Sequence, residues 1–447
     1  MNENYDVIAC GTGFKECLLS GLLSVAGKKV LHVDRNDFYG ADCASLNITQ
    51  FFQRFFKQDP PAELGPNRDW NIDLIPKFIM ADGLLVKALI HTKVNEALSF
   101  QCIAGSYVFK GNKVDKVPST GSEALKTSLV GLLEKNRLRK FLEFIAERYE
   151  RKLDMAASLK SKTKKENPTA KELMAAFSLA DDTMGFVGHA MALEPDDTYL
   201  ERPAAEYIPK LELYANSISK FENQNSPYLY PMYGLGDLPQ AFARLCAVWG
   251  GVYMLNTPVD KILVDDAGHA TGIESNGQQA HAPIIIGDPS YFKDIPGKTK
   301  VVGKVVRAIC LLDHPIVCLK NKVDSGNIII PQHEVNRNHD IYVCFMSSTQ
   351  KVCPANWYIA LVSTIVETEE PEKELKPGLD LLGPVKHMGT SIQDVVEPCI
   401  KGSQDGMYCS ASYDPTTHFE TTIQEVLQLY EEILGHPIDF TKPPQAG

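Results

Sequence analysis

The sequence predicts an α/β fold built on a Rossmann-type βαβ unit, with a smaller all-helical domain inserted into it. Three observations carry that expectation. The chain opens on an apolar run, a glycine turn, an amphipathic helix and a second apolar run that ends in an acid. A long middle stretch then changes to helical periodicity, and strand-like runs return after it. At 447 residues the chain also exceeds what one compact core accommodates.

Taken in order, Tyr5–Cys10 is the first apolar strand and Gly11-Thr12-Gly13 the turn. Phe14–Ala26 puts Cys17, Leu18, Gly21, Leu22 and Val25 on one helical face. Gly27-Lys28-Lys29 closes that helix, and Val30–Val33 is a second strand ending at Asp34, about 20 positions after the turn. From roughly 118 to 222 the texture is helical. Leu138, Phe141, Leu142, Ile145 and Tyr149 recur at helical steps, and the polar run Ser158–Pro168 reads as a solvated loop. A second helix passes through Leu173, Ala176, Phe177 and Leu179. A third, after Asp181-Asp182-Thr183, carries Met184, Val187 and Met191, with Gly185, Gly188 and Ala190 between them. Strands resume at Gly251–Leu255, Lys261–Val264, Ile284–Asp288, Val302–Leu312, Ile328–Pro331, Ile341–Met346 and Trp357–Ser363, and Thr421–Leu434 is an amphipathic helix. The expected organisation is a discontinuous domain of 1–117 plus 223–447, and a helical domain of 118–222.

Bulk properties narrow the function. With 45 basic against 56 acidic residues the net charge is −11, which argues against nucleic-acid binding. The N-terminus lacks a signal-peptide pattern, and no apolar run reaches the ~18–20 residues needed to span a bilayer. The eleven cysteines contain no C-x-x-C pair, so reduced thiols of a cytoplasmic protein are expected, with no metal site. The chain ends Pro443-Pro444-Gln445-Ala446-Gly447, with no terminal cysteine to prenylate, so any lipid it handles belongs to another molecule.

The turn resembles G-x-G-x-x-G, in which glycines let pyrophosphate approach the backbone at a helix N-terminus. Gly11, Gly13 and Asp34 fit, but Glu16 holds the third glycine position. A carboxylate there crowds the helix–strand contact and repels a pyrophosphate. The turn is therefore expected to serve folding, with no cofactor. No catalytic constellation follows downstream: the histidines stand apart in the sequence, and His189 on an apolar helix reads as a core residue.

Three stretches carry a family resemblance. They are Tyr5–Cys17 with Leu31–Gly40, the central run Ser226–Leu245, and Tyr413–Thr422. Together they resemble the conserved blocks of Rab GDP-dissociation inhibitors and Rab escort proteins, and the likeness runs from residue 1 to about 440. The resemblance implies a fold akin to FAD-dependent oxidases and monooxygenases without the flavin. It also implies a non-enzymatic role: binding GDP-loaded, geranylgeranylated Rab GTPases, slowing GDP release and moving them between membranes and cytosol in vesicle transport. The expected protein is a monomer that cycles transiently to membranes.

Carried over residue by residue, the Rab-binding platform is Tyr39, Asp237, Arg244, Val252 and Met254. A mobile loop is implied at Lys220, Ser226 and Tyr228. The prenyl pocket falls among Phe141, Ile145, Met184, Val187 and Met191, where small residues leave room and methionines repack. A plain helical core fits that pattern equally well. Three departures stand out: Asp237 replaces the usual glutamate, Val252 replaces threonine, and Lys220 replaces an arginine whose bidentate fork lysine cannot reproduce. An escort protein remains the nearest alternative, and an FAD-dependent oxidoreductase a more distant one.

Overall fold

Strand β1 (Val7–Cys10) lies at the centre of a five-stranded parallel sheet in the computed structural model, which describes residues 4–118, 131–222, 224–319 and 321–442. Its neighbours are β2 (Val30–Val33) on one side and Ile284–Gly287 on the other, with Val252–Met254 and Met407–Cys409 at the edges. A parallel sheet covered on both faces requires continuous apolar strands, and every residue of β1 and β2 is buried. One face carries helix α1 (Phe14–Val25), the helix Asp237–Val248 and the C-terminal helix Glu420–Leu434. The first two approach closely because Gly21 has no side chain: a Cβ there would lie 3.1 Å from Phe242 Cδ1. On the opposite face, a three-stranded antiparallel sheet packs Ile262, Ile273 and Ala280 onto Ile8, Leu31 and Ile285.

A seven-stranded sheet forms the second layer, in the order His387–Pro398, Thr299–Leu312, Tyr358–Ile365, Ile341–Ser347, Ser325–Ile330, Gly105–Lys110 and Lys113–Lys116. It is antiparallel except where Gly326–Ile329 runs beside Gly105–Val108. Alternation divides its side chains. Ala308, Cys310, Val343 and Phe345 build one core with Leu375 and Leu382, while Ile309, Leu311, Cys344 and Met346 join the main core of the molecule.

Between Lys116 and Tyr228 every element among the described residues is helical: Leu132–Glu150, Met155–Thr163, Ala170–Ala176, Asp181–Phe186, a short turn at Asp197–Glu201, and Ala204–Ile218. Asp181–Phe186 runs on into a π-helical turn, Val187–Met191. The expected domain border at 117–118 falls at the last described residues before 119–130, and that at 222–223 touches Asn223, which with 119–130 and Pro443–Gly447 lies outside the described residues.

The loop expected at 158–168 is partly wrong, because Met155–Thr163 is helix. Asp154 caps it by accepting the Ala157 N–H at 2.8 Å, and Leu159 anchors it in the core with the partly buried Met155 against it. One buried residue among lysines gives no periodicity to read. The strands Gly105–Lys110 and His387–Pro398 were also unanticipated, the latter being a half-exposed edge of mixed polarity. Among the described residues no helix is long and apolar enough to cross a membrane.

Candidate functional site: a sheet-edge platform beside a glycine turn

The turn after β1 is held by its own acid. Gly11 adopts φ +93°, and Asp34 Oδ2 accepts the Thr12 N–H at 2.5 Å and the Thr12 hydroxyl at 2.6 Å. Asp34 Oδ1 takes the Asn36 N–H at 2.7 Å. A carboxylate placed to receive a ribose is thereby committed to the protein's own backbone. Glu16 folds back over Gly13, where an added Cβ would collide with Glu16 Oε2. Its Oε1 accepts from Ser410 Oγ at 2.7 Å. Burial, then the neighbouring Asp288, push the Glu16 carboxyl up to about 7. A cleft of about 710 Å³ opens beside this turn, with Glu16, Asp34, Asp42 and Asp288 among its walls.

From the turn, packing leads outward to the edge strand Val252–Met254. His32 in β2 donates from Nε2 to the Gly11 carbonyl at 2.6 Å, and its Nδ1 lies 3.0 Å from Ser20 Oγ. Burial drives this imidazole down to about 4, so it is neutral at pH 7. Tyr253 stacks on it with ring centroids 4.3 Å apart, and the Tyr253 hydroxyl lies 3.0 Å from Ser20 Oγ. Tyr39, half-buried in the loop after β2, leans on Tyr253 at 6.0 Å.

Val252 and Met254 point to the other face of the same strand. Val252 is 40% exposed, and Met254 packs partly against the core containing Val33. The helix Asp237–Val248 leads directly into this edge. Asp237, its first residue, is half-buried, and burial raises its carboxyl. Arg244 lies two turns on, exposed, with no hydrogen bond or ion pair among the described residues. Val252 and Met254 thus lie on the edge strand, Tyr39 leans on Tyr253 from the α1 side, and Asp237 and Arg244 lie on the helix that precedes the strand.

Other expected residues lie differently. Lys220 is exposed and pairs with Asp82 Oδ1 at 2.6 Å. Ser226 and Tyr228, expected in a mobile loop, are buried: Ser226 donates to the Ile103 carbonyl at 2.7 Å, and Tyr228 begins a strand. Asn223 lies outside the described residues. Phe141, Ile145, Met184, Val187 and Met191 all sit in the main core. The room expected at Gly185 and Gly188 is taken, however. The Tyr199 ring fills the space beside Gly188, and His333 Cε1 would be 3.3 Å from a Cβ at Gly185.

His189 is buried as expected, but the histidines are not isolated in space. Its ring lies 6.2 Å from that of His333, and it contacts two carboxylates. Sequence reasoning also passed over His32 and Tyr233. Tyr233 is 55% exposed at φ +71° beside the platform helix, its N–H bonded to the Gln350 carbonyl at 3.0 Å. A large aromatic immediately before Gly-Leu-Gly was the available signal.

A family model described as GDP dissociation inhibitor matches residues 1–445. The chain belongs to the GDP dissociation inhibitor family. It is 49% identical over 446 residues to the probable secretory pathway GDP dissociation inhibitor 1 of Schizosaccharomyces pombe, covering 100% of this chain and 99% of that one. It is 47% identical to the dog Rab GDP dissociation inhibitor beta, over 98% of this chain and 97% of that one. The crystal structure of a Rab GDI from Plasmodium falciparum superposes with TM-score 0.92 at 40% identity, covering 98% of this chain and all of that one. An oxidoreductase from Methanosarcina mazei shares the fold alone, with TM-score 0.56 at 15% identity over 95% of this chain and all of that one.

Like the family, the chain is a non-catalytic regulator, on a fold shared with oxidases. Its turn does not fit a flavin dinucleotide. The buried Glu16 carboxyl stands at the turn where the pyrophosphate would lie, Asp288 adds a second acid, and both Asp34 oxygens are already engaged.

Proposed function

We propose that the chain captures GDP-loaded, prenylated Rab GTPases, slows their nucleotide release and withdraws them from membranes into the cytosol, acting as a monomer. The observation that carries this reading is the helix Asp237–Val248 with the edge strand Val252–Met254 that follows it. An exposed Arg244 guanidinium with no intramolecular partner among the described residues, one helical turn from the exposed Val248 and on the element that leads to the exposed Val252, is what a protein partner's carboxylate and hydrophobic anchors require. The inward chain from Gly11 through His32 and Tyr253 to Tyr39 supports the same view, because it lets the disused turn brace the platform.

The division of labour we favour is 1–117 plus 223–447 for the GTPase and 118–222 for its lipid. Because Phe141, Ile145, Met184, Val187 and Met191 are packed, the lipid enters by parting helices rather than by filling a void. At ~0.8 kcal/mol per CH₂, sheltering a prenyl chain supplies on the order of 10 kcal/mol, close to what the bilayer offers the same chain. Platform contacts then decide the direction of exchange. Discrimination for GDP follows if the platform grips GTPase switch segments that the γ-phosphate orders differently.

The test titrates the purified chain into prenylated, GDP-loaded Rab on liposomes, following GDP release and the soluble fraction together. Slowed release with Rab moving to the supernatant supports the reading. Neither effect at saturating protein refutes it.

A further inference from the structure

The seam between the helical stretch and the seven-stranded sheet holds a cluster that the platform does not use. His189 is fully enclosed, with Nδ1 2.7 Å from Asp340 Oδ2 and Nε2 3.0 Å from Asp197 Oδ1. Asp340 Oδ1 also accepts the Gln332 N–H at 2.8 Å, and Gln332 Nε2 donates to Asp197 Oδ2 at 2.7 Å. His333, following the strand Ser325–Ile330, completes the group. One ligand atom from each of His189, Asp197 and His333 lies within 4.8 Å of the others.

We propose that His189, Asp197 and His333 bind one divalent transition-metal ion of the zinc class, with water completing its shell, and so clamp the helical stretch to the sheet. Asp340 supplies the outer-shell partner that metal-binding histidines characteristically have: it accepts the Nδ1–H of His189 and leaves Nε2 facing Asp197. With both imidazoles neutral, the carboxylates of Asp197, Asp340 and Glu334, the last 3.7 Å from His333 Nε2, give the site a negative balance that favours a dication. A donor set of two imidazoles and a carboxylate selects zinc-like ions over magnesium or calcium.

Access is open, since the side chains of Asp197 and His333 are 43% and 44% exposed. This site is independent of the GTPase platform.

The full chain, stripped with chelator, is titrated with zinc chloride, and with cobalt chloride to read the d–d absorption of the bound ion. One ion per chain is expected, with affinity lowered at least roughly tenfold in His333→Asn, in line with the loss of a metal ligand. Zinc should raise the melting temperature of the parent protein and leave that of His333→Asn unmoved, a readout that also reports folding of the variant. Cys399→Ser, which removes an exposed thiol, should bind as the parent does. Absence of a one-to-one complex, equal affinity in His333→Asn, or loss of binding in Cys399→Ser would each overturn the proposal.

Discussion

Arg244 and Glu16 show two ways in which a single residue reveals what it is for. Arg244 has no partner among the described residues of the chain, so replacing it leaves the fold untouched and changes only what meets the surface. Arg244→Ala is expected to weaken Rab binding by roughly 1.5–3 kcal/mol, the range for a hydrogen bond to a charged group, with the melting temperature unchanged. Arg244→Lys should recover only part of this, because lysine lacks the planar fork. The comparison is made on the dependence of GDP-release rate upon inhibitor concentration.

Glu16 behaves in the opposite manner. Its folded-state pKa is raised from 4.5 to about 7, so the fold holds extra protons between those values. Stability therefore falls as pH rises through that window, and above it the buried charge is fully felt. Glu16→Gln should fall less steeply over the same range, where the buried carboxyls of Glu420 and Asp73, pushed up to about 7 and about 6, still titrate, and should be more stable at pH 8 by about 1–3 kcal/mol, read from urea melts at several pH values. Glu16 was legible in the sequence because a glycine motif has a fixed spacing. His32 was not, since its importance lies in ring and backbone contacts with residues remote in the chain.

Among elements, the strands were read well wherever both faces are buried. β1 and β2, buried throughout, and α1 between them match to within two residues at their ends, and the half-exposed Lys261–Val264 also matches because its Ile-Leu-Val run is apolar. Elements of mixed polarity escaped, as with Met155–Thr163 and the edge strand His387–Pro398, because their stability comes from a cap or from neighbouring strands rather than from an apolar stripe. The small residues of the π-helical turn were legible as a pattern but not in meaning. Gly188 accommodates Tyr199, which is 1% exposed, stacks on Tyr207 at 5.3 Å and donates its hydroxyl to the Met184 carbonyl at 2.9 Å. Tyr199 cannot swing aside, so Gly188→Ala should cost about 1–3 kcal/mol of stability by overpacking, with an unchanged denaturant slope. A variant as stable as the parent would mean that this helix pair is already loose enough to admit an alkyl chain.

At the scale of the whole molecule, the C-terminal signature is tied to the front of the chain by an ion pair whose lysine is buried and whose aspartate side chain is 33% exposed. Lys77, 1% exposed, uses all three ammonium protons: on Asp414 Oδ1 at 2.6 Å, the Thr416 carbonyl at 2.6 Å and the Thr416 hydroxyl at 3.0 Å. Burial alone would raise the Asp414 carboxyl, but Lys77 outweighs it and holds the group below its ordinary range. This contribution is complete above that range and is lost as pH falls through it. Asp414→Ala strands a buried ammonium and should cost about 3–5 kcal/mol in equilibrium denaturation. The sheet at the centre of the fold has the same long reach, because β1 is flanked on one side by β2 and on the other by Ile284–Gly287, with Met407–Cys409 beyond. On the ribosome, at ~5–20 residues per second, the far edge of β1 waits some tens of seconds for its neighbour. During that interval an apolar strand with open hydrogen-bonding groups is exposed to every other nascent chain. A regulator proposed to shield another protein's greasy tail thus itself needs a chaperone's shelter while it is being made.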